Sequence, residues 1–239
     1  MRRSICMATY NGAHYIQQQL DSILSQMRAD DELIISDDGS TDGTISIIEA
    51  YADSRIRLLN NTSKHGVLYN FENALKHAQG DIIFFADQDD VWLPQKMDEV
   101  EAFLKGGEYD LVLSNCSMTD ATLQIIKPRY YDEHFPMRVH PLIRWAKGGW
   151  LGACMAFTQQ VKDSVLPFPP HVAAHDIWVG MYSMLHFRCG YLDKPLQLYR
   201  RHDATVSFSG EKSTNPIWYR IQYRLCTAWF LLRSYFRAE

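Results

Sequence analysis

The sequence has no cysteine pair spaced C-x-x-C and no zinc spacing among its five cysteines, Cys6, Cys116, Cys154, Cys189 and Cys226. Most lie inside apolar runs, such as Ile5-Cys6-Met7 and Ala153-Cys154-Met155. This excludes a disulfide framework and implies buried thiols in a reducing compartment. Basic charge is not in excess either. The 24 Lys and Arg against 28 Asp and Glu give a formal net charge of -4. Proteins that grip phosphate backbones usually carry surplus positive charge, so nucleic acid is not an expected partner. No run approaches the roughly 18 apolar residues of a membrane span. The apolar stretch after Met1-Arg2-Arg3 is too short for a signal-peptide core, so a cytoplasmic location is expected. There is no internal repeat and no low-complexity linker.

What is present is an ordinary globular composition, 46% hydrophobic and 22% charged over 239 residues. That is enough for one α/β domain with a full core. The first half alternates strand and helix signals. Ser4–Ala8, Glu32–Ser36, Arg55–Leu59, Asp81–Ala86 and Asp110–Asn115 read as strands. His14–Met27, Thr44–Tyr51, Val67–Ala78 and Pro94–Leu104 show helical spacing, the last with Pro near its start. Alternation of this kind predicts a mostly parallel sheet flanked by helices. Further on, Pro128–Pro141 and Val165–Pro170 read as loops, Ala153–Phe157 as a strand, Asp176–Phe187 as a helix and Tyr191–Tyr199 as extended. Parallel sheets bind ligands beyond the C-terminal ends of their strands. Three polar loops fall there: Thr9–Gly12, Asp37–Gly43 and Asp87–Asp90.

Asp87-Gln88-Asp89-Asp90 follows a buried strand directly. Three carboxylates in four residues repel one another unless something positive stands among them. A divalent cation with oxygen ligands meets that need; an Asp-rich turn before a helix is the alternative. Asp38 to Glu49 also fits the spacing of a calcium loop, with Gly43 at the sixth place and Glu49 at the twelfth. Such a loop must leave a helix, whereas Glu32–Ser36 reads as a strand, so an EF-hand-like calcium module is the weaker reading. Asp38 is then free to accept a uracil or thymine imide N–H, which cytosine lacks. Asp176 opens a helical run and reads either as its N-cap or as a general base. His175 beside it could tune that carboxylate or line the pocket. Arg200-Arg201-His202 reads as a diphosphate contact or as a solvated basic turn. A sugar nucleotidyltransferase would want several glycines and a lysine near its N-terminus, and Met7–Gly12 offers neither.

Together these residues resemble family 2 glycosyltransferases with the GT-A fold. The resemblance runs from about Ser4 to His202. It is carried by Met7-Ala8-Thr9-Tyr10-Asn11-Gly12, Ser36-Asp37-Asp38-Gly39-Ser40-Thr41-Asp42-Gly43, Asn70-Phe71 with Asn73-Ala74, and Gly80–Trp92 with its Asp87-Gln88-Asp89-Asp90 core. His175-Asp176-Ile177-Trp178 and Tyr199-Arg200-Arg201-His202 close it. The D-Q-D-D-x-W form is similar to bacterial rhamnosyltransferases of O-antigen and cell-wall polysaccharide synthesis.

The resemblance implies an inverting transfer from a dTDP- or UDP-sugar, with dTDP-rhamnose the expected donor and a UDP-hexose or HexNAc the alternative. The acceptor would be a glycan or lipid-linked oligosaccharide. It places Ala8, Tyr10, Asn11, Asp38 and Asp87 at the nucleotide, Asp89, Asp87 and His202 at a Mg2+ or Mn2+ ion, and Asp176 as catalytic base. Gly149 and Trp150, with His175 and Arg201, would line the donor and acceptor pocket; core packing is the alternative for Trp150. After His202 such enzymes commonly carry an Asn-containing stretch, whereas here the chain reads Asp203-Ala204-Thr205-Val206. Residues 1–210 are expected to form the transferase domain and 211–239 a C-terminal helical extension. Ile217–Phe236 mixes Trp218, Trp229 and Phe230 with Arg220, Arg224 and Arg233, the pattern of a helix lying on an anionic membrane surface or on a partner.

Overall fold

The computed structural model describes residues 1–62, 64–131, 149–202 and 217–235. The expected loop beyond Tyr131, the Asp203–Val206 stretch and the 210/211 boundary lie outside them. The described strands are β1 (Arg3–Thr9), β2 (Glu32–Asp37), β3 (Ile56–Asn60), β4 (Ile82–Asp87), β5 (Val91–Trp92), β6 (Leu111–Thr119), β7 (Ile125–Lys127), β8 (Met155–Thr158) and β9 (Cys189–Arg200). The helices are α1 (Ile16–Leu24), α2 (Thr44–Ala50), α3 (Val67–His77), α4 (Lys96–Lys105), α5 (Gln159–Val165), α6 (His175–His186) and α7 (Ile217–Tyr235).

The strands form one sheet in the order β3-β2-β1-β4-β8-β6-β9-β5, with β7 paired to β6. The β1–β4 half is parallel, as the alternation predicts. Beyond β4 the sheet is mixed: β8 runs antiparallel to both β4 and β6, while β6 and β9 are parallel. Burial alternates along each strand because successive side chains point to opposite faces. Ile5, Met7, Ile82 and Phe84 pack under α1, α2 and α4, whereas Cys6, Ile83 and Phe85 pack under α3, α5 and α6. Each fully buried Phe stabilises the fold by about 1.5–3 kcal/mol relative to exposure.

Two helices differ from expectation for tertiary reasons. Pro94 does not enter α4. β5 first pairs with β9, and Gln95, in a left-handed conformation at φ 70°, turns the chain into the helix at Lys96. α5 was not legible because its buried face holds only two apolar residues, Val161 and Val165, beside the buried Lys162. β2 leads into the Asp37–Gly43 loop, which removes the calcium-loop reading.

Register fixes the site. Ala8 pairs with both Ser36 and Asp87, and Thr9 with Asp37. The C-terminal ends of β1, β2 and β4 therefore lie level, and their loops share one edge of the sheet.

Candidate active site

The three loops are stitched together by side chains that reach into one another's backbones. Asn11 adopts φ 47°, a left-handed conformation that asparagine tolerates better than most residues. Its N–H donates to Ser40 Oγ at 2.8 Å, and its Oδ1 accepts from the Thr41 N–H at 2.9 Å. The Gly12 N–H donates to Thr44 Oγ1, and the Ala13 N–H to Asp42 Oδ2. Gln88 clamps the first loop to the third: its Oε1 accepts the Tyr10 N–H and its Nε2 donates to the Tyr10 carbonyl, both at 3.0 Å. Gly12 is required for that clamp, since a Cβ there would stand 2.3 Å from Gln88 Oε1. From α3, Asn70 Nδ2 donates to the Thr9 carbonyl and Asn73 Nδ2 to Ser36 Oγ, tying the helix to the strand ends.

The acidic residues divide into those that shape the loops and those at the mouth. Asp37 is buried and accepts from Thr9 Oγ1, the Gly39 and Ser40 N–H groups and Ser40 Oγ, so it shapes its loop. Asp38 stands at the mouth, where Asn61 Nδ2, His65 Nδ1 and the Gly66 N–H surround its carboxylate at 2.7–2.9 Å. Tyr10, largely exposed, and Ala8, half-buried, lie beside it on the first loop.

In the third loop, Asp90 turns inward. It is fully buried, takes Gln197 Nε2 and the Arg200 N–H at 3.0 Å each, and belongs to the framework. Asp87 and Asp89 remain at the edge. Asp89 Oδ2 lies 2.8 Å from His202 Nε2. The Asp87 carboxyl is pushed up to about 7, first by burial, then by the negative charges of Asp89 and Asp176. Asp176 is nearly ninety positions further along the chain. The His175 ring beside it lies edge-on 5.0 Å from Phe85, which places the first turn of α6 against the end of β4.

Asp176 does not cap α6. Ala174 holds that position without a side-chain hydrogen bond, and Asp176 is the second helical residue, its Oδ1 accepting the Ile177 N–H at 2.7 Å. Burial raises its carboxyl to about 6, against the pull of backbone N–H groups. A carboxylate in a helix's first turn faces the positive end of the dipole, which keeps it ionisable despite burial.

The Glycosyl transferase family 2 profile matches residues 4–165. The chain belongs to that family. The dTDP-rhamnosyl transferase RfbG of Shigella flexneri is 41% identical over 249 residues, 90% of this chain and 81% of RfbG. The UDP-Glc:alpha-D-GlcNAc-diphosphoundecaprenol beta-1,3-glucosyltransferase WfgD of Escherichia coli is 36% identical over 119 residues, so the match spans about half of each chain, 47%. S. aureus TarS 1-349, solved with UDP-GlcNAc, superposes with a TM-score of 0.72 at 21% identity, over 94% of this chain and 65% of that one. The mannosyltransferase PcManGT from Pyrobaculum calidifontis, solved with GDP-Man and Mn2+, gives a TM-score of 0.64 at 21% identity, over 96% and 69%. At that identity the likeness is one of fold, and the GT-A architecture expected from the motifs is the one found.

In this family 2 member the remaining expected site residues take different places. His175 is buried, its ring stacked 3.8 Å from Phe71 and edge-on to Phe85, and burial drives it down to about 3. It is a neutral wedge rather than a proton carrier. Trp150 is also buried, its indole pressed over Gly180 of α6, where a Cβ would come within 2.2 Å. That is the packing alternative rather than an open sugar platform. Gly149 beside it is exposed, with φ 101°. The Arg201 N–H donates to the Thr119 carbonyl at the end of β9. Arg200 is not a solvated basic residue: it is 3% exposed, with Nε on the Asp89 carbonyl at 2.7 Å, Nη1 on the Ala121 carbonyl and its guanidinium over Tyr15.

Asp87, Asp89 and His202 offer two carboxylates and an imidazole. Among the described residues no group of three or more such side chains is arranged to enclose a metal alone. That donor set suits Mg2+ or Mn2+, which keep few protein ligands and take the rest from phosphates and water.

Proposed function

We propose that this chain is an inverting glycosyltransferase that moves rhamnose from dTDP-rhamnose to a glycan or lipid-linked acceptor in cell-surface polysaccharide synthesis. One observation carries the reading: the His175 ring stands edge-on 5.0 Å from Phe85 of β4, so the first turn of α6, which carries Asp176, lies beside the strand that leads into the acidic loop. The donor assignment is supported by RfbG, whose similarity extends over nine-tenths of the chain. A UDP-hexose is the second reading, favoured by the shorter match to a UDP-Glc enzyme.

Asp38, Ala8, Tyr10 and Asn11 would receive the nucleoside. Asp89, His202 and Asp87 would hold a Mg2+ or Mn2+ ion, which when bound supplies Lewis-acid stabilisation of the departing diphosphate. Asp176 is the base. Above about pH 6 its carboxylate is ionised, takes the acceptor hydroxyl proton, and lets that oxygen bond to the anomeric carbon as the bond to the diphosphate breaks. One displacement inverts configuration. Asp176→Asn keeps shape and loses the base, so turnover should fall by about 100- to 10,000-fold with donor binding nearly intact. Retention of more than about a tenth of wild-type turnover would place the base elsewhere. A thermal-shift panel of dTDP, UDP, GDP and CDP, each with and without Mn2+, tests the nucleotide. The expected result is stabilisation by dTDP or UDP, enhanced by metal, and little from CDP.

The reading extends to location at the cytoplasmic face of a membrane. Among the described residues no helix is long and apolar enough to cross one. α7, however, packs on α6 through Leu231 and a His186–Ser234 hydrogen bond, and presents Trp218, Ile221, Leu225, Trp229 and Leu232 to solvent. These recur at three- and four-residue spacing, one stripe of the helix. The α7 sequence contains arginines and no acidic residue, which suits an anionic lipid surface. Leu225→Glu should lower co-sedimentation with phosphatidylglycerol vesicles. Equal pelleting of variant and wild type would remove the membrane contact and leave the catalytic reading standing.

A further inference from the structure

The acidic loop and the base stand on different supports, and one buried lysine touches both. Lys96, the first residue of α4, is 2% exposed. Its Nζ donates to the Ala153 carbonyl at 2.9 Å and to Gln197 Oε1, and lies 4.2 Å from the centre of the Trp92 ring. On one arm, Gln197 passes its own N–H to Asp90 Oδ2, Asp90 takes the Arg200 N–H, and Arg200 Nε holds the Asp89 carbonyl. On the other arm, Ala153 lies in the turn Gly152–Cys154, and Gly152 abuts the base. A Cβ on Gly152 would stand 3.3 Å from Asp176 Cβ and 2.5 Å from His175 Nε2.

We propose that Lys96 is a positioning residue that fixes the separation of Asp89 and Asp176, tying the acidic loop through Gln197 and the turn beneath the base through Ala153. A buried ammonium is costly, and an apolar side chain of similar volume is often no less stable at such a site. What the ammonium supplies is three donors in fixed directions, enough to join two supports that no methyl group could join. The inference rests on Asp176 being the base. A shift of about 1 Å between catalytic groups costs on the order of 100-fold in rate.

The test uses the full chain and needs no acceptor. Release of nucleoside diphosphate to water is followed with dTDP-rhamnose and UDP-glucose, using whichever donor the wild type turns over faster. Lys96→Met and Gln197→Met are compared with wild type and Asp176→Asn, at a temperature where circular dichroism shows each variant folded. Lys96→Met and Gln197→Met should each lose about 10- to 100-fold in kcat with donor KM within about threefold. The double variant should be little worse than either single, because both cut one connection. A purely structural lysine would lower Tm and leave kcat per folded molecule unchanged. Values of kcat within about threefold of wild type in a folded single variant, or losses that multiply in the double, overturn the proposal. Should Lys96→Met not fold, Gln197→Met decides alone. An inert Asp176→Asn beside a fully active Lys96→Met would sink this inference only; an active Asp176→Asn would sink the assignment of the base.

Discussion

The two ends of the sheet handle charge in opposite ways. At the N-terminal ends of β1 and β2, every buried charge among the described residues has a partner of opposite sign. Arg3 is fully buried and meets Asp31 through Nε and Nη2 and Asp98 through Nη1. Glu101 is paired with Arg28 and Lys105 at 2.9 and 2.6 Å. Burial pushes the Glu101 carboxyl up, but those two cations outweigh it and bring it to about 2. At the C-terminal ends, burial holds Asp87 at about 7 and Asp176 at about 6, with the charges of Asp89 and Asp176 adding to the rise at Asp87 and only Lys96 and backbone N–H groups opposing it. One end is a closed ionic joint. The other gathers carboxylates that a bound cation would satisfy, which is how a binding site differs from a support.

The contrast breaks most visibly in stability. Arg3→Met strands Asp31 in the interior and should cost about 3–5 kcal/mol in chemical denaturation. Nucleotide binding per folded molecule should persist, and its selective loss would mean that the two ends are not separate.

Substitution at the upper end should do the reverse. Asp176→Asn removes a carboxylate whose ionised form the fold disfavours, so without metal at pH 7.5 stability should rise by about 1–2 kcal/mol. A fall in Tm would show that the carboxylate is already satisfied.

A smaller effect is the sign of the pH dependence. The Asp176 pKa is higher folded (about 6) than its ordinary 3.8, so the fold binds the extra proton and stability falls as pH rises through that window. The Glu101 pKa is lower folded (about 2) than its ordinary 4.5, so its contribution is present above 4.5 and is lost on acidification towards 2. Asp176→Asn should flatten the first limb and Glu101→Gln the second, each read from urea midpoints across pH. Limbs unchanged by their own variant would contradict the assignment.

That three polar loops meet at the C-terminal ends of β1, β2 and β4 was legible in the sequence because each loop is local. A buried strand followed by Asp87-Gln88-Asp89-Asp90 announces itself, and strand alternation places the three loops together. What the sequence hid are the long-range donors. Nothing near Lys96 says that it is buried beneath Ala153, and nothing near Gln197 says that it reaches Asp90; both contacts follow from β9 returning beside β6 and β5. Spacing alone does not separate Asp90 from Asp87 and Asp89, because it counts carboxylates without showing which way each turns; only the resemblance left Asp90 without a role. Trp150 could be read as platform or core until Gly180 was seen to make room for it. The α5 helix was lost because it is short, and the antiparallel course of β8 because strand direction depends on partners distant in the chain.

On the proposed function, side chains from the β4 loop, the end of β9 and the start of α6 surround one cation and one diphosphate. Crystals grown with dTDP and Mn2+ and measured at a wavelength where manganese scatters anomalously test it directly. The expected result is a single strong peak beside Asp89, with the diphosphate between it and Asp176. A peak at the Asp37–Gly43 loop instead, or a nucleotide seated away from Asp176, would contradict it.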